Sequence, residues 1–331
     1  MRRWIKIVIW TLLLAGGVAL CVIRWQAWFG MPDEPVWTGD SLSYVFPTFK
    51  QRHVPGFVGN PFGWQDTIAP ESLDILVLGD IHNRLQRHDY DSLAARVPQA
   101  DVVVQVGDWI DRGQEYYHQL LVREWIHSDL CGLPVINCPG NHDYTKGLDK
   151  HLPEDWLTWF PQPVNAPALP GVFYYVDFTP VRLIVIDTTP LDLIVYRTRA
   201  LTWLETAMKS AGNKNIVVLM HHPVVSVAKG RFNAGIYATF RYPLSKADLV
   251  IAGHEHSYMR QMPFVIINSA GRVKSQKESG RFEFTATEPV YSVLSFPRDT
   301  SATHDARSPF SFRTYRLSDG VLIDSVYVDH H

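Results

Sequence analysis

The fold is decided by the stretch Leu73-Asp74-Ile75-Leu76-Val77-Leu78-Gly79-Asp80-Ile81-His82, in which an apolar run ends at a glycine and an Asp-x-His motif follows at once. Four further apolar runs are each followed by a polar motif: Gly107-Asp108-Trp109-Ile110-Asp111-Arg112-Gly113, Gly140-Asn141-His142-Asp143, His221-His222-Pro223 and Gly253-His254-Glu255-His256. Ligands of open α/β sheets bind at the carboxyl ends of the strands. The five motifs therefore predict one polar site at one edge of the fold.

Apolar strand-like runs alternate with helical patterns after residue 71, which is typical of an α/β fold. Strands are predicted at residues 73–78, 102–106, 134–138, 173–178, 183–186, 216–220, 249–252, 264–267, 291–296, 312–317 and 321–328. Helices are predicted at residues 88–96, 115–128 and 199–211. A single sheet of so many strands would be unusually large, so we expect two stacked sheets with helices outside.

The first thirty residues differ in character from the rest of the chain. Three basic residues near the N-terminus precede an uncharged run over residues 7–23, and with Lys6 snorkelling the segment reaches the roughly 17 to 25 residues that cross a bilayer. The alternatives are a buried helix or a cleaved signal peptide, but Leu20-Cys21-Val22-Ile23 lacks the small residues of a cleavage site. The excess of basic residues before the span predicts a single-pass anchor over residues 1–30 with a cytoplasmic N-terminus. The rest of the chain would then lie outside the cytoplasm, in the periplasm if the source is bacterial.

The composition of the remaining residues indicates how the rest of the chain is divided. Residues 31–70 are rich in Pro, Gly and aromatic residues, so we interpret them as a tether and packed loops ahead of a catalytic domain over residues 71–331. The whole chain of 331 residues is 46% apolar and 19% charged, as in a folded protein, and its net charge of -2 makes nucleic acid an unexpected partner.

The two cysteines of the predicted catalytic domain, Cys131 and Cys138, are separated by the strand predicted at 134–138, whose ends lie roughly 13 Å apart. Because this is too far for a disulfide, both cysteines are expected to be unpaired and buried.

Each motif alone has an ordinary explanation. Asp80 and His82 alone would suit a helix cap or a surface pair, and Gly140-Asn141-His142-Asp143 alone would suit a turn. The pair His254 and His256 is harder to dismiss, because two histidines after a buried strand have no apolar role. In combination, the motifs supply Asp, Asn and His side chains in numbers that suit two metal ions.

The order of the motifs resembles that of the calcineurin-like metallophosphoesterase superfamily, from residue 73 to residue 256. The resemblance implies a metallophosphoesterase-type sandwich of two stacked mixed β-sheets flanked by helices, preceded in this chain by the transmembrane helix. It also implies a hydrolase that acts on phosphate mono- or diesters and holds two divalent metal ions as cofactors.

Two such ions about 3.5 to 4 Å apart clamp the oxygens of an in-line displacement, and a water bound to them becomes hydroxide near neutral pH. A carboxylate bridges two ions best, so we expect Asp108 to bind both. By resemblance, the other ligands are Asp80, His82 and His256 for the first ion and Asn141, His221 and His254 for the second. His221 is preferred to His222 because the superfamily's ligand lies two residues before the proline. These oxygen and nitrogen ligands suit Mn, Fe, Zn, Co or Ni without deciding among them.

The Asp-Arg-Gly segment adds three candidate catalytic residues. It resembles that of the Ser/Thr phosphoprotein phosphatases, which implies that His142 protonates the leaving oxygen, Asp111 fixes the tautomer of His142 and raises its pKa, and Arg112 binds phosphate oxygens. The alternatives are a surface salt bridge for Arg112 and a structural hydrogen bond for His142. Purple acid phosphatases have a tyrosine ligand at the position of Asp111, so a tyrosinate-bound ferric centre is not expected.

The substrate is less well defined by the sequence. Basic and aromatic residues over 228–241 suggest a pocket rim for a phosphorylated headgroup or a nucleotide base, or equally a solvated loop. We expect a phosphate ester that is small, lipid-borne or a nucleotide, met at the membrane that holds the N-terminal helix. The alternatives are a nuclease of the same superfamily and a non-catalytic metal-binding membrane protein. The oligomeric state is left open.

Overall fold

The computed structural model describes residues 72–113, 133–146, 150–153, 169–276, 282–297 and 307–330, with isolated residues between 117 and 130 and at 156 and 166. The predicted anchor, the tether, half of the helix predicted at 115–128 and Cys131 lie outside these residues. Within the described part, no helix has the length and apolar character that a membrane span requires. Cys138 is buried and unpaired, as expected.

The strands of the described residues form two sheets. Their bounds are β1 Ser72–Leu78, β2 Val102–Val106, β3 Val135–Cys138, β4 Phe173–Asp177, β5 Val181–Ile186, β6 Asn215–Met220, β7 Leu249–Ala252, β8 Tyr258–Gln261, β9 Phe264–Ile266, β10 Phe284–Ala286, β11 Val290–Pro297, β12 Phe310–Arg316 and β13 Leu322–Val328. One sheet has the order β13-β12-β11-β1-β2-β3 and the other has the order β10-β8-β9-β7-β6-β5-β4. Each combines parallel and antiparallel pairs, so the prediction of two mixed sheets is confirmed.

The core lies between the two sheets, and alternation along β1 explains its position. Leu73, Ile75 and Val77 pack into one cluster with apolar residues from strands of the second sheet. Leu76 and Leu78 point to the opposite face, where they join a cluster that includes residues of the first helix. Because both faces of β1 are covered, its sequence is almost continuously apolar.

Three helices are described outside the sheets: α1 Arg87–Arg96, α2 Ile194–Lys209 and α3 Ala234–Leu244. The first confirms the helix predicted at 88–96, and the second begins five residues before the predicted start at 199. The third shows that residues 234–241 of the segment 228–241 are helical rather than a solvated loop. It begins where the side chain of Asn233 accepts a hydrogen bond from the Ile236 amide, and it buries Ile236, Phe240 and Leu244 at helical spacing. Pro243 falls in its last turn and obscured the pattern.

Two short strands, β8 and β10, were also missed. They pair with each other at the edge of the second sheet. The sequence of β8, Tyr258-Met259-Arg260-Gln261, contains no apolar run, and the side chains of β10 are only partly buried or exposed. Their pairing depends on the neighbouring strand β9 rather than on a local hydrophobic pattern.

Candidate metal centre

The predicted ligands lie at the carboxyl ends of strands in both sheets. Asp80, Asp108 and Asn141 follow β1, β2 and β3, which are parallel neighbours in the first sheet. His221 and His254 follow β6 and β7, which are parallel neighbours in the second sheet. Contacts between the two sets of side chains show that they meet between the sheets.

Hydrogen bonds across the sheets fix this meeting point. The Nδ1 atom of His221 lies 2.9 Å from the carbonyl oxygen of Val106, at the end of β2. The backbone amide of His254 donates to Oδ1 of Asp80 at 3.0 Å. Each sheet therefore positions side chains that the other sheet supplies.

Unusual backbone conformations are concentrated in the same loops. The described non-glycine residues with positive φ, between 51° and 71°, are Asp80, His82, Asn83, Asp108, His254 and His256. This left-handed region is unfavourable for side chains other than glycine, and such strain concentrates at functional sites. Amide-to-carbonyl bonds of 2.9 to 3.0 Å between residues 80–83 and 107–109 hold the first two loops in these conformations.

A first cluster of four buried ligand candidates is formed by Asp80, His82, Asp108 and His256, with candidate ligand atoms all within 4.8 Å of one another. The two histidine Nε2 atoms are 3.1 Å apart. His82 Nε2 lies 3.5 Å from Asp108 Oδ2, and His256 Nε2 lies 3.6 Å from Asp80 Oδ1. The ligands predicted for the first ion are therefore in one place.

The protonation of this cluster suits a cation. His256 Nδ1 lies 2.7 Å from the Arg272 carbonyl oxygen, and because a carbonyl only accepts, Nδ1 carries the proton and Nε2 presents a lone pair. Burial lowers the pKa of His82 to about 3 and that of His256 to about 4, so both rings are neutral at pH 7. Asp80 Oδ2 is buried without a hydrogen-bond partner in the described part of the chain. A divalent ion between these atoms would satisfy both the lone pairs and the orphaned oxygen.

A second cluster adjoins the first through Asp108. The side-chain oxygen of Asn141 lies 3.2 Å from His221 Nε2 and 2.9 Å from His254 Nδ1. Asp108 Oδ2, already near His82, is 3.2 Å from His221 Nε2. One carboxylate oxygen thus faces both clusters, which is the position required of a bridging ligand.

Charge pairing keeps that carboxylate ionised. Burial opposes the charge, but the neighbouring His221 outweighs it and lowers the pKa of Asp108 below its usual range. The reciprocal effect raises the pKa of His221 to about 9 against the effect of burial. The Val106 carbonyl keeps a proton on His221 Nδ1, so that Nε2, once it gives up its own proton, is the atom that would bind a metal ion.

The family model described as calcineurin-like phosphoesterase matches residues 73–258, which is more than half of the chain. This chain belongs to the calcineurin-like phosphoesterase family. The Asp and His clusters fit the dinuclear divalent metal centre of the family.

The similarity to individual proteins is more distant. The chain is 25% identical over 132 residues to a probable glycerophosphodiester phosphodiesterase, GpdQ, from Arcobacter nitrofigilis, and the match covers 39% of this chain but only 44% of that relative. It shares its fold with purple acid phosphatase PPD1 from yellow lupin (TM-score 0.58, 15% identity, 77% of this chain and 53% of that one). The chain also shares its fold with GAP50, the anchor in the inner membrane complex of Plasmodium (TM-score 0.56, 15% identity, 78% of this chain and 89% of that one).

Asp111 and His142, two of the three candidate catalytic residues of this phosphoesterase, lie beside the first cluster. His142 donates its amide to Asp108 Oδ1 at 2.7 Å, and its ring centroid is 4.7 Å from that of His82. Its Nδ1 lies 2.5 Å from the main-chain oxygen of Asp111, whereas the Asp111 carboxylate lies 3.7 Å from His82 Nδ1. A tautomer with Nδ1 protonated is therefore selected by a carbonyl rather than by the expected carboxylate. Arg112 is half exposed, and its Nε lies 3.9 Å from Asp111 Oδ2.

His222 lies outside the predicted ligand set but close to it. Its Nδ1 is 2.8 Å from Thr188 Oγ1, and its ring centroid is 4.4 Å from that of His254. Burial lowers its pKa to about 3. His221, His222 and His254 also form a group with ligand atoms within 4.8 Å of one another. This position agrees with its interpretation as a pocket residue.

Several supporting residues of the phosphoesterase site were missed by sequence reasoning. Buried Asp143 accepts bonds from the amides of Asp108 at 2.9 Å and Gly140 at 2.7 Å, and it holds the second and third motifs together. The others are Asn83, Asp187, Thr188, Glu255 and Ser269. For Asp187, Thr188 and Ser269 a signal existed, because polar residues follow the strands predicted at 183–186 and 264–267.

Proposed function

We propose that this phosphoesterase is anchored in a membrane by residues 1–30 and hydrolyses small or lipid-borne phosphate mono- or diesters outside the cytoplasm. The observation that carries the proposal is the position of Asp108, whose Oδ2 lies 3.5 Å from His82 Nε2 and 3.2 Å from His221 Nε2. A carboxylate between two histidine-containing clusters suits a pair of ions that hold one phosphate group.

The chemistry divides between the ions and the chain. Divalent ions held by the seven predicted ligands would supply positive charge to the phosphate oxygens and lower the pKa of a water molecule. In hydrolysis the bond from phosphorus to the alcohol oxygen breaks, and the water oxygen replaces it. The departing oxygen needs a proton, which the imidazolium form of His142 would supply from Nε2, leaving a neutral ring whose remaining proton stays on Nδ1 at the Asp111 carbonyl.

The backbone keeps this proton donor in register with the metal ligands. The amide of His142 donates to Asp108 Oδ1, so the residue that carries the proton and the carboxylate that faces both clusters are linked directly. Asp143 binds the amides of Asp108 and Gly140 from behind. A change in this loop would therefore disturb proton transfer and metal binding together.

The membrane part of the proposal rests on the sequence. The apolar run over residues 7–23, with basic residues before it, favours an uncleaved anchor. A reporter enzyme fused after the last residue should be active outside the cytoplasm. A reporter active only in the cytoplasm would contradict the proposed orientation.

Activity is tested on the full chain in detergent, stripped of metal and reloaded with Mn²⁺. We expect metal-dependent release of alcohol from aryl phosphate monoesters, aryl phosphodiesters or both. Glycerophosphodiesters belong in the diester panel, because one relative is described as a probable glycerophosphodiester phosphodiesterase. A protein that binds two ions per chain and cleaves none of these esters would overturn the proposal.

A further inference from the structure

Arg231 is a cationic side chain at the metal centre that the proposed reaction has not used. Its Nη1 lies 2.9 Å from His254 Nε2, and arginine can only donate, so this nitrogen accepts the bond. Among the described residues, no carboxylate forms an ion pair with Arg231, unlike Arg112, which lies beside Asp111. In the described part of the chain the side-chain hydrogen bond of this half-buried guanidinium goes to a neutral ring, which leaves its other donors for an anion.

The loop that carries Arg231 is fixed to the metal motif itself. Both the Val227 and the Ala228 amides donate to Glu255 Oε2, at 2.5 and 2.6 Å. Glu255 is fully buried and stands between His254 and His256 in the chain. The motif that carries His254 therefore also holds the loop that brings Arg231 to His254.

Metal binding would release the guanidinium. His254 Nδ1 faces Asn141 Oδ1 at 2.9 Å, where the second ion is expected. If Nδ1 gives its lone pair to an ion, the neutral ring must carry its proton on Nε2 and can no longer accept from Arg231. The guanidinium then needs a new acceptor, and phosphate oxygens match its planar pair of donors.

Two exposed aromatic side chains follow Arg231 in the chain. The rings of Phe232 and Tyr237 are 5.2 Å apart and are 51% and 43% exposed. At the start of α3, Gly235 lies against the guanidinium of Arg197 in the first turn of α2, where Ile194 is 74% exposed. Large apolar side chains grouped beside a cation mark a binding surface.

We infer that Arg231 and the ring pair Phe232–Tyr237 form the substrate-recognition surface of this phosphoesterase. The guanidinium binds the phosphate oxygens, and the rings bind an apolar alkyl or aryl group attached to the phosphate. This inference rests on the proposed function, and it narrows the substrate to esters with an apolar group next to the phosphate.

The test measures binding of phosphonates, which resemble the substrate but cannot be hydrolysed. Full chain loaded with Mn²⁺ is titrated calorimetrically with methyl-, butyl-, hexyl- and phenylphosphonate. Affinity should rise about two- to fourfold for each added methylene, fourfold being the limit for complete burial. An affinity that follows alkyl length points to a lipid-borne group, whereas phenylphosphonate binding more tightly than hexylphosphonate points to an aryl group.

Variants separate the two halves of the surface. Arg231→Met should weaken all four phosphonates at least tenfold, as expected for a lost charge-assisted pair, while keeping two ions per chain by metal analysis. Arg231→Lys should recover only part of the loss, because lysine lacks the planar fork. The double change Phe232→Ala and Tyr237→Ala should leave methylphosphonate unaffected and abolish the dependence on alkyl length. Lys229→Met, an equal charge change at an exposed position of the same loop, serves as the control.

Two results would overturn the inference. One is Arg231→Met binding phosphonates as tightly as Lys229→Met, and the other is a wild-type affinity that ignores the organic group. If the wild type still cleaves aryl phosphate esters, only the inference fails. If the wild type holds two ions but neither binds phosphonates nor cleaves any ester, the proposed function fails with it.

Discussion

Replacement of Gly107 by alanine should damage the metal centre through the shape of the backbone alone. Gly107 has φ of +91°, which residues with a side chain rarely adopt. A Cβ atom there would lie 2.7 Å from His221 Cγ and 2.8 Å from Gly140 Cα, closer than real Cβ contacts come. One neighbour is a predicted metal ligand and the other begins the loop of Asn141, so neither yields without moving the site.

The expected loss of unfolding free energy is the sum of three contributions. The left-handed backbone costs an alanine about 1–2 kcal/mol, and overpacking costs a further 1–3 kcal/mol or so. Displacement of His221 from the Val106 carbonyl adds about 1 kcal/mol for the lost hydrogen bond. We therefore expect Gly107→Ala to lose about 3–6 kcal/mol of unfolding free energy.

Gly212 provides a matched control, because its φ is +64° and nothing lies within 4 Å of its Cβ position. Gly212→Ala should show only the backbone cost of about 1–2 kcal/mol. The assay is urea unfolding of the full chain in detergent with chelator, so that bound metal does not contribute, together with metal content after reloading. If Gly107→Ala unfolds like Gly212→Ala and retains two ions, the steric reasoning is refuted.

Three further predictions concern single side chains. Asp108→Asn should abolish ester hydrolysis and lower the metal content per chain, since it removes a charge that faces both clusters; normal turnover would exclude a bridging role. His142→Ala should lower kcat by about 10² to 10⁴ while metal analysis still finds two ions, because its amide contact to Asp108 is retained; an unchanged kcat would remove it from proton transfer. Burial raises the pKa of Asp187 to about 7, so its protonated folded form favours the folded state at low pH, and this contribution is lost as the pH rises from about 4 to about 7. Asp187→Asn should flatten the unfolding free energy measured over that window, and an equally steep profile in the variant would contradict the assignment.

The sequence could predict the strands that carry the site because they are buried on both faces. Runs such as Val102–Val106 are buried throughout, are apolar except for Gln105 and end at a glycine, so both their extent and the polar residue after them were evident. Sheet partners were not evident in the same way. The antiparallel pairing of β11 with β1 joins residues more than two hundred positions apart, and no local pattern specifies such a choice.

The positions of the metal-ligand candidates were predictable, whereas their surroundings were not. The strand-end rule located Asp80 and His221, but the carbonyl that orients His142 belongs to the main chain of Asp111 and carries no side-chain signature. Arg231 was recognised only as part of a basic and aromatic segment. Its contact with His254 depends on the path of a loop fixed by Glu255, and that path depends on the tertiary fold.

The hydrogen bonds that join the two sheets at the metal centre determine when the centre can form. They connect His221 with Val106 and His254 with Asp80, pairs separated by 115 and 174 positions in the chain. Closing such long loops is slow, and their contacts form late. A nascent chain that has emerged from the ribosome only as far as the third motif therefore holds three of the four ligands predicted for the first ion and two of the four predicted for the second. Neither ligand set is complete before the last motif is in place, so capture of both ions would mark the end of folding.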